Sequence, residues 1–217
     1  MTDLIFEMPS RAFRGRGLLW GLIAGIFLSI SACGGESASS SYQQSVMQDR
    51  VQRDMRMREK ESVLAPNLRS SFKGLDYFAV DTTYHFVVPL HRQVAPDTVM
   101  LAENTGRIRE QVQIGTITVP LPHGDERLLV FQGEGDDPRG RLWVPFADAT
   151  NGDSTYEAGR YVDLERADAD SVVVDFNRAY NPTCVYNPGY ACPLPPSENR
   201  LDVPVPAGEK TPQFAKN

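Results

Sequence analysis

The hydrophobic and polar positions follow two different patterns along this chain. Residues 42–64 contain no glycine or proline, and Met47, Val51 and Met55 recur at four-residue spacing, which predicts a helix. Most other positions in this segment are Gln, Arg, Asp or Glu, so the apolar stripe is narrow. We therefore expect a spacer helix that rests one side on a folded domain. A helix that binds a partner is the alternative.

Downstream of the helix the pattern changes to the two-residue period of β-strands. Tyr84, Phe86, Val88 and Leu90 lie on one face of a strand, in which Pro89 indicates an edge or a bulge. Turn signals rich in Gly, Asn and Asp separate the shorter runs that follow, including the loop at residues 133–140. These runs lie at residues 98–102, 107–113, 116–121, 127–132, 141–146, 160–164 and 171–176, with a last strand-like run at 201–206. The pattern predicts a mainly β fold, an antiparallel meander forming a barrel or a sandwich, preceded by one N-terminal helix.

Two connections are longer than hairpin turns, at residues 147–159 and 175–199. In a meander they follow strands that run in the same direction, so both loops emerge at the same end of the sheet. We therefore expect one shared surface. Its predicted residues are Asp148, Thr150, Thr155, Tyr156, Arg160, Asn177, Arg178, Tyr180, Asn181 and Glu198.

The loop at residues 175–199 has the most unusual composition in the chain. It contains two Asn-Pro turns, an extended CPLPP segment, three tyrosines and only one glycine. Such a composition favours a fixed loop over a disordered one. Two roles stay open. The tyrosines cover one end of a β-core as a plug, or they form a ligand-binding surface.

The first 33 residues have the features of a bacterial lipoprotein signal. Three arginines, Arg11, Arg14 and Arg16, precede the apolar segment 17–31, which is shorter than a membrane span. The segment ends in Ile-Ser-Ala before Cys33, which resembles a lipobox, so we expect acyl chains such as palmitate on Cys33. Translation begins at Met1 or Met8. Gly34 follows the cysteine, and we expect attachment to the outer membrane, facing the periplasm.

Four segments of the chain together resemble one bacterial family. They are FKGLDYF at 72–78, LWVPFADAT at 142–150, TYEAGRYVDL at 155–164, and DFNRAYNPTCVYNPGYACPLPPSENRL at 175–201 followed by AGEK at 207–210. These motifs are similar, in the same order, to those of the family called domain of unknown function 1684, over roughly residues 61–210. The resemblance implies that the motifs meet in one place. It implies no particular activity.

Cysteine spacing leaves three alternatives. Cys184 and Cys192 lie eight positions apart in the loop at residues 175–199, which we call the proline-rich loop. The protein is expected to face an oxidising compartment. A disulfide between them would stabilise the fold by about 2.6 kcal/mol in the chain-entropy model. A reduced buried pair is the second alternative and metal binding is the third. The three histidines lie upstream and scattered, so we predict no metal site and no cofactor.

Charge restricts the classes of partner. The chain has a formal net charge of −6, and removal of residues 1–32 takes away three arginines and two acidic residues. An acidic chain without a basic cluster argues against nucleic acid and against peripheral binding to anionic lipid. The predicted partners are the membrane, through the acyl chains on Cys33, and an envelope glycan or protein.

We expect a signal peptide at 1–32, a flexible tether at 33–41, the helix at 42–64, one β-domain at 65–210 and a tail at 211–217.

Two functional hypotheses follow. In the first, an envelope lipoprotein binds a small ligand, a glycan or a protein through its two long loops. Its predicted ligand-binding residues are Thr155, Tyr156, Arg160, Asn177, Arg178, Tyr180, Asn181, Tyr186 and Asn199. The alternative is an envelope hydrolase with candidate carboxylates Asp148, Asp175 and Glu198 in one cleft. An internal ion pair of Arg160 with Asp163 or Asp175 would instead give that arginine a structural role.

Overall fold

The architecture is a curled antiparallel sheet with one long helix. The computed structural model describes residues 34–133 and 140–215. The helix α1 spans Gly34–Arg58. The strands are β1 (His85–Pro89), β2 (His91–Ala102), β3 (Ile108–Leu121), β4 (Gly124–Gln132), β5 (Leu142–Phe146), β6 (Arg160–Arg166) and β7 (Ser171–Asp175).

The seven strands form one sheet in the order β1-β7-β6-β5-β4-β3-β2, and every neighbouring pair is antiparallel. Strands β1 and β2 lie at opposite edges, yet only Leu90 separates them in the chain. A single residue cannot span a flat sheet of seven strands, so the sheet curls into a half-barrel. The predicted mainly β meander with one N-terminal helix is thus confirmed.

The central strands are buried on both faces. In β4, Leu128 and Val130 belong to the main core inside the half-barrel, whereas Leu129 and Phe131 belong to a second cluster on the other face. Cys184 of the proline-rich loop lies in that second cluster. The proline-rich loop thus covers the outer face of β4–β6. Because both faces of these strands are covered, successive side chains along them are apolar on both faces.

Two strand predictions need correction. The runs at 107–113 and 116–121 are one strand, β3, with a register irregularity beside Gly115. Here β2 passes so close that an added Cβ on Gly115 would lie 2.2 Å from the carbonyl oxygen of His91. The run at 201–206 forms no strand. Its prolines at 204 and 206 lack the N–H group that a strand needs to pair.

The bounds of α1 also differ from the prediction. The helix begins at Gly34, inside the predicted tether at 33–41, and ends at Arg58 instead of residue 64. Residues 35–41 contain no proline, and the helix continues through them. At the other end, turns replace the helix: the N–H groups of Glu59 and Ser62 donate to the carbonyl oxygens of Arg56 and Glu59 at 3.3 and 3.1 Å.

The apolar stripe of α1 is about half-exposed and lines a cavity together with residues 75 and 77–80 of the domain. Met47, Val51 and Met55 are 51%, 55% and 61% exposed. At about 3.6 residues per turn, each four-residue step advances beyond a full turn, so this stripe drifts around the helix. The helix does rest one side on the domain, as expected, but this stripe is not its buried face.

The buried face of α1 instead follows a 4-3-4 spacing. Val46 is fully buried and Met57 is 5% exposed, while Arg50 and Arg53 between them are partly buried. This spacing keeps all four positions on one line along the helix. The helix therefore contacts the domain through a face whose centre carries two arginines.

The predicted tail at 211–217 begins in contact with the domain. Thr211 N–H donates to Ser154 O at 3.1 Å, so the start of the predicted tail packs on the domain. The described residues do not include the predicted signal peptide at 1–32, the predicted acylation site Cys33, residues 134–139 or the last two residues of the predicted tail. Within the described ranges, no helix combines the length and the apolar character that a membrane span requires.

Candidate functional site

The two long loops lie against each other, and backbone hydrogen bonds join them and the segments next to them; three of these bonds illustrate the contact. Ala147 N–H donates to Asn199 O at 3.0 Å, and Ala149 N–H donates to Val203 O at 3.2 Å. The third joins Ser154 to Thr211, as described above. The contact is packed instead of open, because many of the side chains predicted for a shared surface are buried.

Arg160 is the clearest example. Its side chain is fully buried and its NH2 group donates to Asp148 Oδ2 at 2.8 Å. The same guanidinium donates to the carbonyl oxygens of Val205 at 2.9 Å, of Ala207, and of Glu209 at 3.3 Å. Burial lowers the pKa of Arg160, and the adjacent Asp148 opposes this shift. The arginine therefore holds the segment 205–209 against the sheet.

This geometry corrects the expected partner of Arg160. The carboxylate is Asp148, from the loop after β5, and not Asp163 or Asp175. Asp148 Oδ1 also accepts from the N–H of Val205 at 3.1 Å, so both sides of the pair fix the same C-terminal segment.

Thr155 and Asn199 also lie in the interior. Thr155 Oγ1 lies 2.8 Å from Thr150 Oγ1 and accepts from Asn151 Nδ2 at 3.0 Å, which closes the loop after β5 on itself. Asn199 is fully buried and its side-chain amide bonds the backbone of Leu129 and Pro145. Neither side chain reaches the surface.

The three candidate carboxylates lie in separate hydrogen-bond networks. Asp148 pairs with Arg160, as described above. Asp175 accepts from Tyr42 OH at 2.8 Å and from Arg178 Nε at 2.9 Å, and burial raises its pKa. Glu198 is exposed and accepts from its neighbour Ser197, while a backbone hydrogen bond lowers its pKa. These three carboxylates share no hydrogen-bond partner among the contacts described here, so the predicted convergence in one cleft is not seen.

A groove between α1 and the sheet has the chemistry of a binding site. We call it the arginine groove; its volume is about 430 Å³. Asn177, Arg178 and Tyr180 of the predicted ligand-binding set line it. Its remaining lining residues are Val46, Asp49, Arg50, Arg53 and Arg56 of α1, with Tyr77, Arg141, Asp163, Glu165 and Ala179. It thus brings together five guanidinium groups and three carboxylates.

Three of the five guanidinium groups are engaged by the protein. Arg50 donates to the carbonyl oxygens of Phe78 at 2.8 Å and Asn177 at 3.1 Å. Arg141 lies 2.8 Å from Asp163 Oδ1. Arg178 pairs with Asp175, as described above, and with Asp49. These three groups donate to the protein itself and shape the wall of the groove.

The other two groups are less engaged. Arg53 stacks over the ring of Tyr180, with its guanidinium carbon 4.7 Å from the ring centroid, and its NH2 lies 3.5 Å from Glu209 Oε2. Its Nε is buried and has no hydrogen-bond partner. Arg56 is exposed, and its side chain has no hydrogen bond or ion pair with any described residue. The groove therefore has positive charge available beside an aromatic ring.

A second cavity of about 340 Å³ adjoins the groove and shares Arg53, Arg56 and Tyr180 with it. Asn181 and Tyr186, both predicted ligand-binding residues, line this cavity. Of the remaining predicted residues, Thr155, Arg160 and Asn199 lie in the interior, as shown above, and Tyr156 is half-buried near the cysteine pair.

The arginines of α1 were not among the site residues predicted from the sequence. Arg50 and Arg53 occupy two positions of the 4-3-4 face that Val46 and Met57 define, and Arg56 lies one turn after Arg53. This face was readable as a helical line, but the apolar stripe of Met47, Val51 and Met55 obscured it. Arg141 was also missed, since it lies at the start of a strand without any local motif.

The cysteine pair lies beneath the proline-rich loop. Cys184 and Cys192 are free thiols in the structure, and Cys184 N–H donates to Cys192 Sγ at 3.1 Å. A hydrogen bond between the thiols raises the pKa of Cys184 and lowers that of Cys192 to about 7. Among the residues that the structure describes, no group of three or more His, Cys, Asp or Glu side chains is placed to hold a metal ion.

Solved structures with a similar fold include that of a protein from Haloarcula marismortui. This is the solution NMR structure of the uncharacterized protein from gene locus rrnAC0354 of Haloarcula marismortui, with a TM-score of 0.63 and 31% identity. The similarity covers 81% of this chain and 97% of that chain. No curated protein matches this chain.

The family comparison agrees with the motifs found in the sequence. The matching family model spans residues 70–210, which include the buried pair of Asp148 and Arg160 and the whole proline-rich loop. The match covers more than half of the 217 residues. The chain therefore belongs to the family described as Protein of unknown function (DUF1684).

Proposed function

We propose that this protein is a lipid-anchored envelope protein that binds a small anionic molecule in the arginine groove. The anchor rests on the sequence of residues 1–33, where basic residues, a short apolar segment and a lipobox-like end precede Cys33. The ligand class rests on the groove. Binding takes place between α1 and the sheet, on a surface to which one of the two long loops contributes Asn177, Arg178 and Tyr180.

The observation that carries the ligand class is the free charge of Arg56 beside the stacked Arg53. A guanidinium presents a planar fork that suits a carboxylate, a sulfate or a phosphate. The other three arginines of the groove are neutralised or bonded by the protein itself, so they hold its shape. A bound anion would satisfy donors that the protein leaves unused.

Sulfate binding, measured by isothermal titration calorimetry at low ionic strength, tests the ligand class. We expect Arg56→Ala to weaken the binding, because this side chain is exposed and lacks partners, so its removal leaves the fold intact. The matched control is Arg92→Ala, which removes the same charge from an exposed position on the edge strand β2. Equal affinities of wild type, Arg56→Ala and Arg92→Ala would contradict the proposal.

Metabolic labelling with palmitate tests the anchor. We expect the wild-type chain to carry label and to fractionate with membranes. Cys33→Ser should lose both properties, because the serine side chain has no thiol to form the thioether that carries the lipid. Label retained by Cys33→Ser would contradict the anchor and would leave the arginine groove unaffected.

A further inference from the structure

A buried carboxylate lies directly behind the arginine groove. Glu209 is fully buried, and its two side-chain oxygens accept from Asn181 Nδ2 at 3.0 Å and from Asn181 N–H at 3.1 Å. Its Oε2 also lies 3.5 Å from the NH2 group of Arg53. Since Arg53 lines the groove as well, one guanidinium separates the buried carboxylate from the space where an anion would bind.

Several charged or titratable groups surround Glu209, and among the charged ones Arg53 lines the groove. Arg160 from β6 donates to its main-chain oxygen, but the charge of Arg160 is matched by Asp148. Tyr77 pairs with Glu209 through the backbone, and burial raises the pKa of its phenol. The remaining group, Lys210, directs its ammonium over the ring of Phe78 at 4.8 Å.

Glu209 is also poised to change its charge. Burial raises the pKa of Glu209 to about 7, although Arg53 and the hydrogen bonds from Asn181 oppose this shift. When Glu209 is ionised it offsets the charge of Arg53. When Glu209 is protonated, the positive charge of Arg53 is fully available to a ligand.

We propose that binding of an anion in the arginine groove is coupled to uptake of one proton by Glu209. This inference rests on the proposed function. An anion beside Arg53 repels the buried carboxylate, so its arrival favours the neutral carboxylic acid. By linkage, the same coupling makes the affinity for the anion rise as pH falls through the range in which Glu209 titrates.

Sulfate is a suitable probe because its own charge is constant near neutral pH. We expect its affinity for the full-length protein to fall as pH rises from about 6 to about 8, by no more than about tenfold per pH unit for one linked proton. Calorimetry in two buffers of different ionisation enthalpy should show net proton uptake. In Glu209→Gln, both the pH dependence and the proton uptake should disappear.

A matched variant separates this coupling from a general change of charge. Glu165 also lines the groove but is exposed, so Glu165→Gln should strengthen sulfate binding at every pH and should keep the pH dependence. The wild-type calorimetry decides the question even if Glu209→Gln does not fold. Sulfate binding without proton uptake overturns the coupling alone, whereas the absence of sulfate binding at every pH overturns the proposed function with it.

Discussion

Asn199 offers the sharpest test of how the proline-rich loop stabilises the sheet. Strands β4 and β5 pair only at Phe131–Trp143 and Gln132–Leu142, and beyond these pairs their backbone groups need other partners. Asn199 supplies them. Its Oδ1 accepts from the Leu129 N–H at 2.7 Å, and its Nδ2 donates to Leu129 O at 3.0 Å and to Pro145 O at 2.8 Å.

The substitution Asn199→Ala would leave three buried backbone groups without these partners. Each buried group that loses its partner costs about 1–3 kcal/mol, and the two carbonyl oxygens lie at the low end of that range. We therefore expect the free energy of unfolding to fall by about 4 kcal/mol. This loss is a large part of a typical stability of about 5–15 kcal/mol.

Urea unfolding followed by tryptophan fluorescence and circular dichroism measures this change. The midpoint should fall while the slope with urea stays constant, because the buried surface is nearly the same. The control is Glu198→Ala in the same turn, where the side chain is exposed and a change below about 0.5 kcal/mol is expected. A loss below about 1 kcal/mol for Asn199→Ala would refute the bridging role.

Three further predictions follow from buried polar groups. Arg160→Met should reduce the free energy of unfolding by about 3–5 kcal/mol, because it leaves Asp148 buried and unpaired. The double variant Arg160→Met with Asp148→Asn should recover part of this loss, as measured by urea unfolding. Burial raises the pKa of Glu209 from its ordinary 4.5 to about 7, so the folded state holds this proton more tightly than the unfolded state. The free energy of unfolding should therefore fall by about 3 kcal/mol as pH rises between these values. Urea titrations at several pH values measure this slope, which Glu209→Gln should remove. When oxidised glutathione is added, Cys184 and Cys192 should become protected from alkylation together, because they form one disulfide. Mass spectrometry that finds only one of the two thiols protected would contradict this.

The β architecture could be predicted because period-two alternation reports directly on strands. The strand beginning near Tyr84 and the runs at 127–132, 141–146 and 160–164 all match strands closely. The errors arose where backbone geometry outweighed the pattern. The glycine at 115 lets β3 pass a close contact without ending, and the prolines at 204 and 206 prevent an alternating run from pairing.

The candidate site was harder to predict because similar residue types serve opposite roles. Arg160 and Arg178 both lie in family-like motifs close to tyrosines, yet one is fully buried and the other lines the groove. The difference depends on the C-terminal segment at 205–209, whose carbonyl oxygens surround Arg160. Nothing local to Arg160 indicates that a segment more than forty positions away covers it.

The arginine groove is built from two parts of the chain, one inside and one outside the family match. Tyr180 and the buried Glu209 lie within residues 70–210, where the family model matches. Arg50, Arg53 and Arg56 lie on α1, before that match begins. The matched domain supplies the aromatic ring and the carboxylate, whereas the helix supplies the charge that an anion would meet. On the proposed function, the ligand preference of this chain is therefore set outside the family match, by Arg53 and Arg56 on one helix.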